Sequence, residues 1–546
     1  MVRTELTPDV GVDHGEVFTR RWVVDFILDL AGYADDRDLA MQTLLEPSCG
    51  TGAFLVPVVE RLIRSCENHG RDLASTSSAI RAFDLLEANA EVARKVVSLR
   101  LEEAGLDWKA AEDLARTWIM TGDFLLQSGI ERSADYVVGN PPYIRLESVP
   151  RAVMDSYRRI CGTMRGRSDI YVGFIERGLA QLKPGGTLAF ICADRWMRNQ
   201  YGAHLREYIS SSYAVDTVIA MHDTDAFEND VSAHPAIIVL RNGDQREAIA
   251  AVAGRDFGES DVLQMSSWAS GSRDRSMITP RVRASKLDGW FEGRDLWPTG
   301  SPAQLALLAD LETRFPPLED VMTGTRVGIG VATGCDEVYI TTDSSRVEEE
   351  RLLPLLQAGD TASGVAEWSG SYLVNPWDKE GLVDLKGYPR LKDYLEANAG
   401  RLQARHVAKR QPSRWYRTID RVDPRLQGRS KLVFPDMKAS ANPVLEEGNY
   451  YPHHNLYFVT SGSWDLEVLG GFLLSDIANL FVGAYCVKMR GGCYRFQAQY
   501  LRRIRVPRLD SLSKRDQTAL ARAFVARDVE AATSAALRIY GLKELP

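Results

Sequence analysis

Two kinds of apolar pattern, one typical of strands and one typical of helices, alternate along the first half of the chain. Runs of consecutive apolar residues, which are typical of buried strands, lie at 44–46, 80–84, 118–125, 135–139, 187–193, 215–220 and 235–240. Stretches with the apolar spacing of a helix lie between several of them, at 22–30, 53–66, 87–103 and 168–182. Strands that alternate with helices predict an α/β fold with a largely parallel sheet.

The second half of the chain has a less regular pattern. Residues 243–300 combine strand-like pieces with a Gly/Ser/Arg-rich passage, and we expect a linker between about 260 and 310. From Leu318 onwards, short apolar runs and four glycines between 324 and 334 favour β structure with tight turns. The expected division is a first domain, a linker, a second domain and a terminal helical segment, at 1–260, 261–310, 311–510 and 511–546.

Composition indicates a globular protein of two or three domains. The chain has 546 residues, of which 45% are hydrophobic and 26% charged. No apolar run approaches the ~20 residues that span a bilayer, and the first residues contain no apolar signal core, so we expect a cytoplasmic protein without membrane contact. Seven cysteines are scattered without a CxxC pair, which argues against a zinc site or a disulfide framework, and no metal is expected.

The charge distribution changes this picture. Net charge is −8, yet residues 386–440 hold 14 Lys/Arg against 5 Asp/Glu, and residues 488–508 hold 7 Lys/Arg and no acid. An acidic body with two basic stretches can present a phosphate-binding face, although a solvated charged surface is the alternative. Candidate DNA contacts from these stretches and from the polar segment 144–167 are Lys409, Arg410, Arg414, Trp415, Tyr416, Arg417, Arg495 and Arg145.

The most informative chemistry follows the apolar run 135–139, at Asn140-Pro141-Pro142-Tyr143. In an open α/β sheet, the position after the carboxyl end of a strand is the usual ligand side. The two prolines fix the backbone and remove two N–H donors, so the carbonyls of the turn remain acceptors. Asn140 adds a side-chain acceptor and Tyr143 an aromatic face. This combination suits a flat base whose exocyclic amine donates to the acceptors while its ring stacks on tyrosine.

A glycine-containing turn also follows a predicted strand and precedes a helix. It reads Glu46-Pro47-Ser48-Cys49-Gly50-Thr51-Gly52. Glycines let the backbone approach a ligand closely, and the helix start offers N–H groups to a carboxylate or phosphate. The third glycine of a dinucleotide fingerprint is absent, because position 55 is Leu.

Acidic residues end two more of the predicted strands. Asp84 occupies the place where a ribose diol is bound in such sheets, with Glu87 as a substitute and a helix-capping role as the alternative. Asp123 could accept from an adenine amine while Phe124 packs on its ring, and a loop aspartate beside a core phenylalanine is the alternative. Near the beginning of the chain, Gly15-Glu16-Val17-Phe18-Thr19 precedes the helix 22–30, and we expect Thr19 to cap it.

These motifs, in this order, resemble the adenine-N6 DNA methyltransferases of the TaqI type, the gamma class. Residues 15–240 resemble the catalytic domain, and 318–508 resemble the target-recognition domain through short motifs at 414–416, 491–495 and 505–507. The resemblance implies an α/β, Rossmann-like, S-adenosyl-L-methionine-dependent methyltransferase domain followed by a mixed α+β target-recognition domain. It also implies double-stranded DNA as substrate, a monomer, and a restriction or phage-defence system with a cognate endonuclease or defence subunit.

The same resemblance assigns roles to residues. The methionine end of the cofactor would be held by Thr19, Glu46 and the loop of Pro47, Cys49, Gly50 and Gly52. The ribose would be held by Asp84, and the adenine by Asp123 and Phe124. The flipped target base would be held by Asn140, Pro141, Pro142 and Tyr143, with Phe227 opposite. Two departures matter. Thr19 precedes Arg20 where the family often has Thr-Pro, and the spacing of the weak motif around Phe227 drifts. A loop phenylalanine packed into the core is the alternative for Phe227.

Other functions share parts of this pattern. A protein-glutamine N5 methyltransferase has the tetrapeptide but would not need the long basic second half. A non-catalytic DNA-binding protein on the same scaffold is disfavoured by the intact Asn140 and glycine loop, and cytosine-N4 methyltransferases usually show Ser-Pro-Pro-Tyr. A fused endonuclease is not expected, because the cofactor half begins at about residue 15 and no nuclease pattern follows it. The target sequence is not encoded in any readable pattern.

Overall fold

The computed structural model describes residues 18–128, 132–145, 148–222, 224–228, 234–298, 300–488 and 493–546. The chain divides into two compact units, Met1–Ala303 and Gln304–Pro546.

The first unit is built from alternating helices and strands. Its described helices are α1 (Arg21–Ala31), α2 (Leu55–His69), α3 (Glu87–Glu103), α4 (Trp108–Trp118), α5 (Arg151–Ile160), α6 (Tyr171–Gln181), α7 (Arg195–Arg198), α8 (Ala203–Ser212) and α9 (Glu259–Gly271). Its described strands are β1 (Leu44–Glu46), β2 (Ile80–Asp84), β3 (Ile119–Thr121), β4 (Ala134–Gly139), β5 (Leu182–Ala193), β6 (Ala214–Ala220), β7 (Pro235–Arg241), β8 (Ala248–Ala253), β9 (Ser276–Ile278) and β10 (Val282–Leu287).

These strands form one sheet of ten described strands in the order β3-β2-β1-β4-β5-β7-β6-β8-β10-β9. Neighbours from β3 to β5 are parallel, and β7 is antiparallel to both β5 and β6. Along β5, Ala189 and Ile191 join the buried cluster that contains α1 to α3, whereas Leu188 and Phe190 join the cluster that contains α6 and α8. Since successive strand residues point to opposite faces, helices cover both faces of the sheet. The predicted α/β, Rossmann-like fold is confirmed.

One expectation about the first unit was wrong, and two stretches contain more regular structure than their sequence indicates. The stretch 261–310 contains most of α9 and the strands β9 and β10, of which β10 pairs with β8, as well as the boundary between the two units at Ala303. Their short strands and small residues hid this pattern. The run 118–125 contains only the strand β3, because Trp118 ends α4 and Phe124 begins a 3₁₀ turn. The polar segment 144–167 contains α5.

The second unit mixes short helices with small sheets. Its described helices are α10 (Pro302–Arg314), α11 (Asp336–Tyr339), α12 (Pro389–Ala397), α13 (Ala399–Ala404), α14 (His406–Arg410), α15 (Leu466–Leu474), α16 (Asp476–Tyr485), α17 (Ala498–Leu501), α18 (Lys514–Ala526) and α19 (Val529–Tyr540). Its described strands are β11 (Arg326–Ile329), β12 (Ile340–Thr341), β13 (Leu352–Leu356), β14 (Tyr372–Val374), β15 (Lys431–Pro435), β16 (Met437–Lys438), β17 (Val444–Glu446), β18 (Tyr451–Pro452), β19 (Leu456–Thr460), β20 (Val487–Lys488) and β21 (Tyr494–Arg495).

The described strands of this unit form three sheets, in the orders β11-β19-β15-β17, β12-β14-β13-β18 and β16-β21-β20. The mixed α+β class is therefore confirmed. The terminal helical segment is not a separate part, because α18 packs on α15 within the same unit. Among the described residues, no single helix has the length and apolarity to cross a membrane; α15 and α16 pass that test only as a pair, with a bend of 61° between them.

A buried ion pair joins β15 to β17. The ammonium group of Lys431 contacts the carboxylate of Glu446, and both side chains are almost completely buried. Lys431 also donates to the Tyr450 carbonyl at 3.1 Å, and Glu446 accepts from the N–H groups of Gly448 and Tyr450 at 2.9 Å each. Burial lowers the pKa of Lys431.

We expect Lys431→Met to lower the free energy of unfolding by roughly 3–5 kcal/mol, because it leaves the Glu446 charge buried without its partner. Urea denaturation of the full chain measures this loss. Arg401→Met is the control, because its ion pair with Glu337 (3.0 Å) is exposed and should contribute at most about 1 kcal/mol. Equal loss of unfolding free energy in the two variants would show that the buried ion pair contributes no more to stability than the exposed one.

Candidate active site

The predicted site residues meet at one edge of the first unit's sheet. Glu46 ends β1, Asp84 ends β2 and Asn140 follows β4, and these three strands are parallel neighbours. Their carboxyl ends therefore lie side by side, where α/β folds bind ligands. They border a cleft of about 1000 Å³, including its open mouth. Predicted residues that line it are Thr19, Glu46, Pro47, Cys49, Gly50, Asp84, Asp123, Phe124, Asn140, Pro141, Pro142 and Tyr143.

The glycine turn is held in place by the neighbouring strand. Asp84 accepts from the N–H of Gly50 at 2.9 Å and from the N–H of Leu86 at 2.9 Å, so its carboxylate joins the two loops. Gly50 has a φ of 52°, which favours glycine. Gly52 does not line the main cleft but an adjacent cavity that also contains Thr19. Glu87, the substitute for Asp84, lies outside the cleft and pairs with Arg94 at 2.8 Å.

Glu46 is a buried carboxylate at the floor of the cleft. Its side chain is 1% exposed, and its Oε2 atom has no hydrogen-bond partner among the described residues. Burial raises the pKa of Glu46 well above its ordinary value, and the charge of Asp84 adds to the effect. Such a group favours a ligand that brings a positive charge or a donor to it.

The residues after β3 form a polar and an aromatic contact. Asp123 accepts from the hydroxyl of Tyr157 at 2.6 Å and from the N–H of Leu125 at 3.0 Å. Burial raises the pKa of Asp123, although these hydrogen bonds oppose the shift. Phe124 packs between Phe83 and Phe174, with ring centroids 5.9 and 5.6 Å away. Tyr157 and Phe174 also line the cleft and were missed, since nothing in the polar segment around Tyr157 marks it.

The tetrapeptide is anchored by two hydroxyl side chains. The amide nitrogen of Asn140 donates to the Thr19 hydroxyl at 3.2 Å, and Ser48 donates to the Asn140 carbonyl at 3.2 Å. The expectation that Thr19 caps α1 was wrong. Arg20 is the residue that precedes this helix, and no side chain caps it. Thr19 instead pairs with Phe227 in an isolated β-bridge, which leaves its hydroxyl facing Asn140.

Tyr143 has aromatic neighbours on two sides. Its ring lies 6.3 Å from Phe227 at an interplanar angle of 81°, and 6.3 Å from Tyr171 at 60°. Phe227 is 6% exposed and packs in the core of the sheet. In this structure, Phe227 and Tyr143 meet edge to face and do not form parallel walls. The Tyr143 hydroxyl is buried without a hydrogen-bond partner among the described residues, and burial raises its pKa.

The candidate DNA contacts divide into exposed and packed residues. Arg145, Lys409, Arg410, Arg414 and Arg495 are exposed. In contrast, Trp415 and Tyr416 pack against the core of the second unit, and Arg417 donates to Gln411 at 2.9 Å. Some predicted motif positions lie outside the described residues, namely Gly15, Glu16, Val17, Asn229, Asp230, Gly491 and Gly492.

The residues of the cleft fit S-adenosyl-L-methionine. The buried, unpartnered oxygen of Glu46 suits the amine of the methionine part, and the glycine turn gives room for close approach. Asp84 and Asp123 offer carboxylates at successive strand ends for a ribose and an adenine, and Phe124 offers an aromatic surface. These acceptors and the aromatic surface thus suit the amine and hydroxyl donors and the adenine ring of the cofactor.

Comparisons with known proteins agree with this chemistry. Residues 76–227 match the family Eco57I restriction-modification methylase. The chain is 43% identical to the type II methyltransferase M.XhoI of Xanthomonas vasicola, over 97% of this chain and 98% of that protein. It is 44% identical to the type II methyltransferase M.PaeR7I of Pseudomonas aeruginosa, over 99% and 94%. The solved structure of the type IIL restriction-modification enzyme MmeI with DNA shares the fold, with a TM-score of 0.60 at 13% identity over 96% of this chain and 73% of that one.

Proposed function

Because the chain belongs to the type II methyltransferases of restriction-modification systems and uses S-adenosyl-L-methionine as its cofactor, we propose that it methylates N6 of an adenine in double-stranded DNA. The choice of adenine as the target base rests on one observation. Asn140-Pro141-Pro142-Tyr143 follows the carboxyl end of β4 and lines the same cleft as the carboxylates of Glu46, Asp84 and Asp123. We further propose that the enzyme acts as a monomer and that the methyl groups it adds protect DNA from cleavage by a separate endonuclease.

In the proposed mechanism, the target adenine leaves the duplex and enters the cleft. Unstacking costs a few kcal/mol, which stacking on Tyr143 and hydrogen bonds to the turn offset. The carbonyl of Pro141 and the side-chain oxygen of Asn140 accept the two N6 hydrogens. Thr19 accepts from the Asn140 amide nitrogen, and this contact helps to fix the orientation of the amide.

The N6 lone pair is normally delocalised into the purine ring, so adenine N6 is a weak nucleophile. Two acceptors that bind both N6 hydrogens favour a pyramidal nitrogen with a localised lone pair. The bound cofactor supplies an electrophilic methyl group. The remaining contribution of the chain is proximity and alignment, and the proton can leave N6 after attack without a general base.

The test is methyl transfer from labelled S-adenosyl-L-methionine to mixed genomic DNA, followed by digestion and nucleoside analysis. We expect the label in N6-methyladenine. Label in N4-methylcytosine would overturn the choice of base while leaving DNA methylation intact. Label in added protein but not in DNA would overturn the proposal as a whole.

DNA binding by the second unit is expected to depend on its exposed arginines. Arg410 and Arg414 are exposed and have no ion pair among the described residues. If each contacts a phosphate, Arg410→Ala and Arg414→Ala should each reduce the slope of log K against log[salt] by about 0.9. Fluorescence anisotropy with a mixed-sequence duplex, over a range of salt concentrations, measures this slope.

Arg522→Ala is the matched control, because Arg522 is also exposed but lies on α18 outside both basic stretches. Its salt slope should equal that of the unsubstituted protein. Unchanged slopes for all three variants would place the phosphate contacts elsewhere.

A further inference from the structure

Three side chains of kinds that bind transition metals converge in the second unit. His453 and His454 connect β18 to β19, and Asp336 is the first residue of α11. The Nε2 atom of His453 lies 3.3 Å from an Asp336 carboxylate oxygen and 2.9 Å from Nδ1 of His454. The three ligand atoms lie within 4.8 Å of one another. A single ion could therefore contact all three.

The spacing agrees with a small tetrahedral ion. Bonds of about 2.0–2.1 Å to nitrogen and oxygen place neighbouring ligand atoms about 3.3 Å apart. The separation of His453 Nε2 from the Asp336 oxygen, 3.3 Å, agrees with that value, and its separation from His454 Nδ1, 2.9 Å, is shorter. Without an ion, a proton shared between the two imidazoles would account for the shorter one.

The nature of the ligands selects the class of metal. Two imidazole nitrogens and one carboxylate oxygen suit Zn²⁺ and its neighbours, whereas Mg²⁺ and Ca²⁺ prefer all-oxygen sites. His453 is buried, and Asp336 and His454 are exposed, so an ion can enter from solvent while one ligand stays fixed.

Surrounding hydrogen bonds fix the ligands. Thr333 donates its hydroxyl to the other oxygen of Asp336, and the backbone N–H of His453 donates to the Leu356 carbonyl at 2.9 Å. The backbone N–H of His454 donates to the Val331 carbonyl at 3.1 Å. Such contacts orient a metal site before the ion arrives.

The same loop supports part of the basic stretch. The carbonyls of Ala332 and Thr333 accept from the backbone N–H groups of Asp420 and Ile419, at 3.0 and 3.2 Å. An ion on Asp336 would thus join the loop 331–336 to residues 453–454 and hold the backbone beside Arg417 and Arg421.

We propose that Asp336, His453 and His454 form a binding site for a divalent cation of the zinc class, with water in the fourth position and a structural role in the second unit. The sequence contains no CxxC pair, but this argues only against a cysteine-ligated zinc site, whereas the ligands here are two histidines and an aspartate.

The test uses the full-length protein without a histidine tag, freed of metal by a chelator that is then removed. Titration with ZnCl₂ in a calorimeter should show one bound ion per chain, and Co²⁺ should give the visible absorption of a four-coordinate site. His454→Gln and Asp336→Asn change exposed ligands, so we expect both to fold and to bind Zn²⁺ at least tenfold more weakly. His406→Gln, an exposed histidine of the same unit, is the control and should bind as the unsubstituted protein does.

Thermal unfolding gives a second readout. Zn²⁺ should raise the midpoint of the unsubstituted protein and of His406→Gln, and the same Zn²⁺ concentration should raise that of His454→Gln clearly less. No saturable Zn²⁺ binding by the unsubstituted protein, or equal affinity in His454→Gln, would overturn the proposal.

Discussion

Replacing Asn140 by alanine is expected to reduce kcat for DNA methylation by roughly 10²–10³-fold, the usual effect of removing one hydrogen bond to a reacting group. The substitution removes the side-chain acceptor for the N6 amine but leaves the prolines that shape the turn. The floor of the cofactor cleft, with Glu46 and Asp84, is unchanged. The dissociation constant of S-adenosyl-L-methionine should therefore stay within about threefold. Single-turnover methyl transfer and calorimetry measure the two quantities separately.

The control for this experiment is Asn68→Ala. Asn68 is exposed near the end of α2, where its amide donates to the Asp35 carbonyl at 3.1 Å, and its loss should leave kcat unchanged. The thermal midpoint of Asn140→Ala shows whether loss of the hydrogen bond to Thr19 disturbs the fold. A folded Asn140→Ala protein with near-normal kcat would mean that Asn140 does not hold the reacting amine.

The sequence predicted the strand-end residues well for a physical reason. Strands β1, β2 and β4 are buried on both faces and therefore appear as short apolar runs, which locate Glu46, Asp84 and Asn140 at their ends. Parallel strands then bring these ends to one edge whatever the details of packing. The pattern of the chain thus determines the cleft before any side-chain contact is known.

The errors arise where tertiary contacts decide. Thr19 has the residue type of a helix cap, but its segment pairs with that of Phe227, and its hydroxyl faces Asn140 instead. Tyr157 lies in a polar helix, and only the fold brings its hydroxyl to Asp123. Trp415 and Tyr416 lie among arginines and are partly buried against the second unit's core, so their contact with DNA stays a prediction. Local composition does not distinguish these outcomes.

Glu46→Gln is expected to weaken S-adenosyl-L-methionine binding by roughly 10- to 150-fold, which corresponds to about 1.5–3 kcal/mol for a hydrogen bond to a charged group. The glutamine has the same shape, and the Oε2 atom that it replaces has no described partner, so the fold should tolerate the change. Calorimetric titration with the cofactor measures the effect on the dissociation constant. Glu87→Gln is the control: Glu87 is exposed and outside the cleft, so its loss should leave binding unchanged.

The pH dependence of binding tests the same role independently. Burial raises the pKa of Glu46 in the free protein, so a fraction of the carboxyl is protonated at pH values above the ordinary range of a glutamate. A cationic amine favours the ionised form, and binding must therefore release that proton. Cofactor affinity should fall as pH decreases through the raised pKa, and Glu46→Gln should abolish this dependence. A wild-type affinity that is constant over the interval, or a Glu46→Gln protein with the same pH profile, would place the methionine amine away from Glu46.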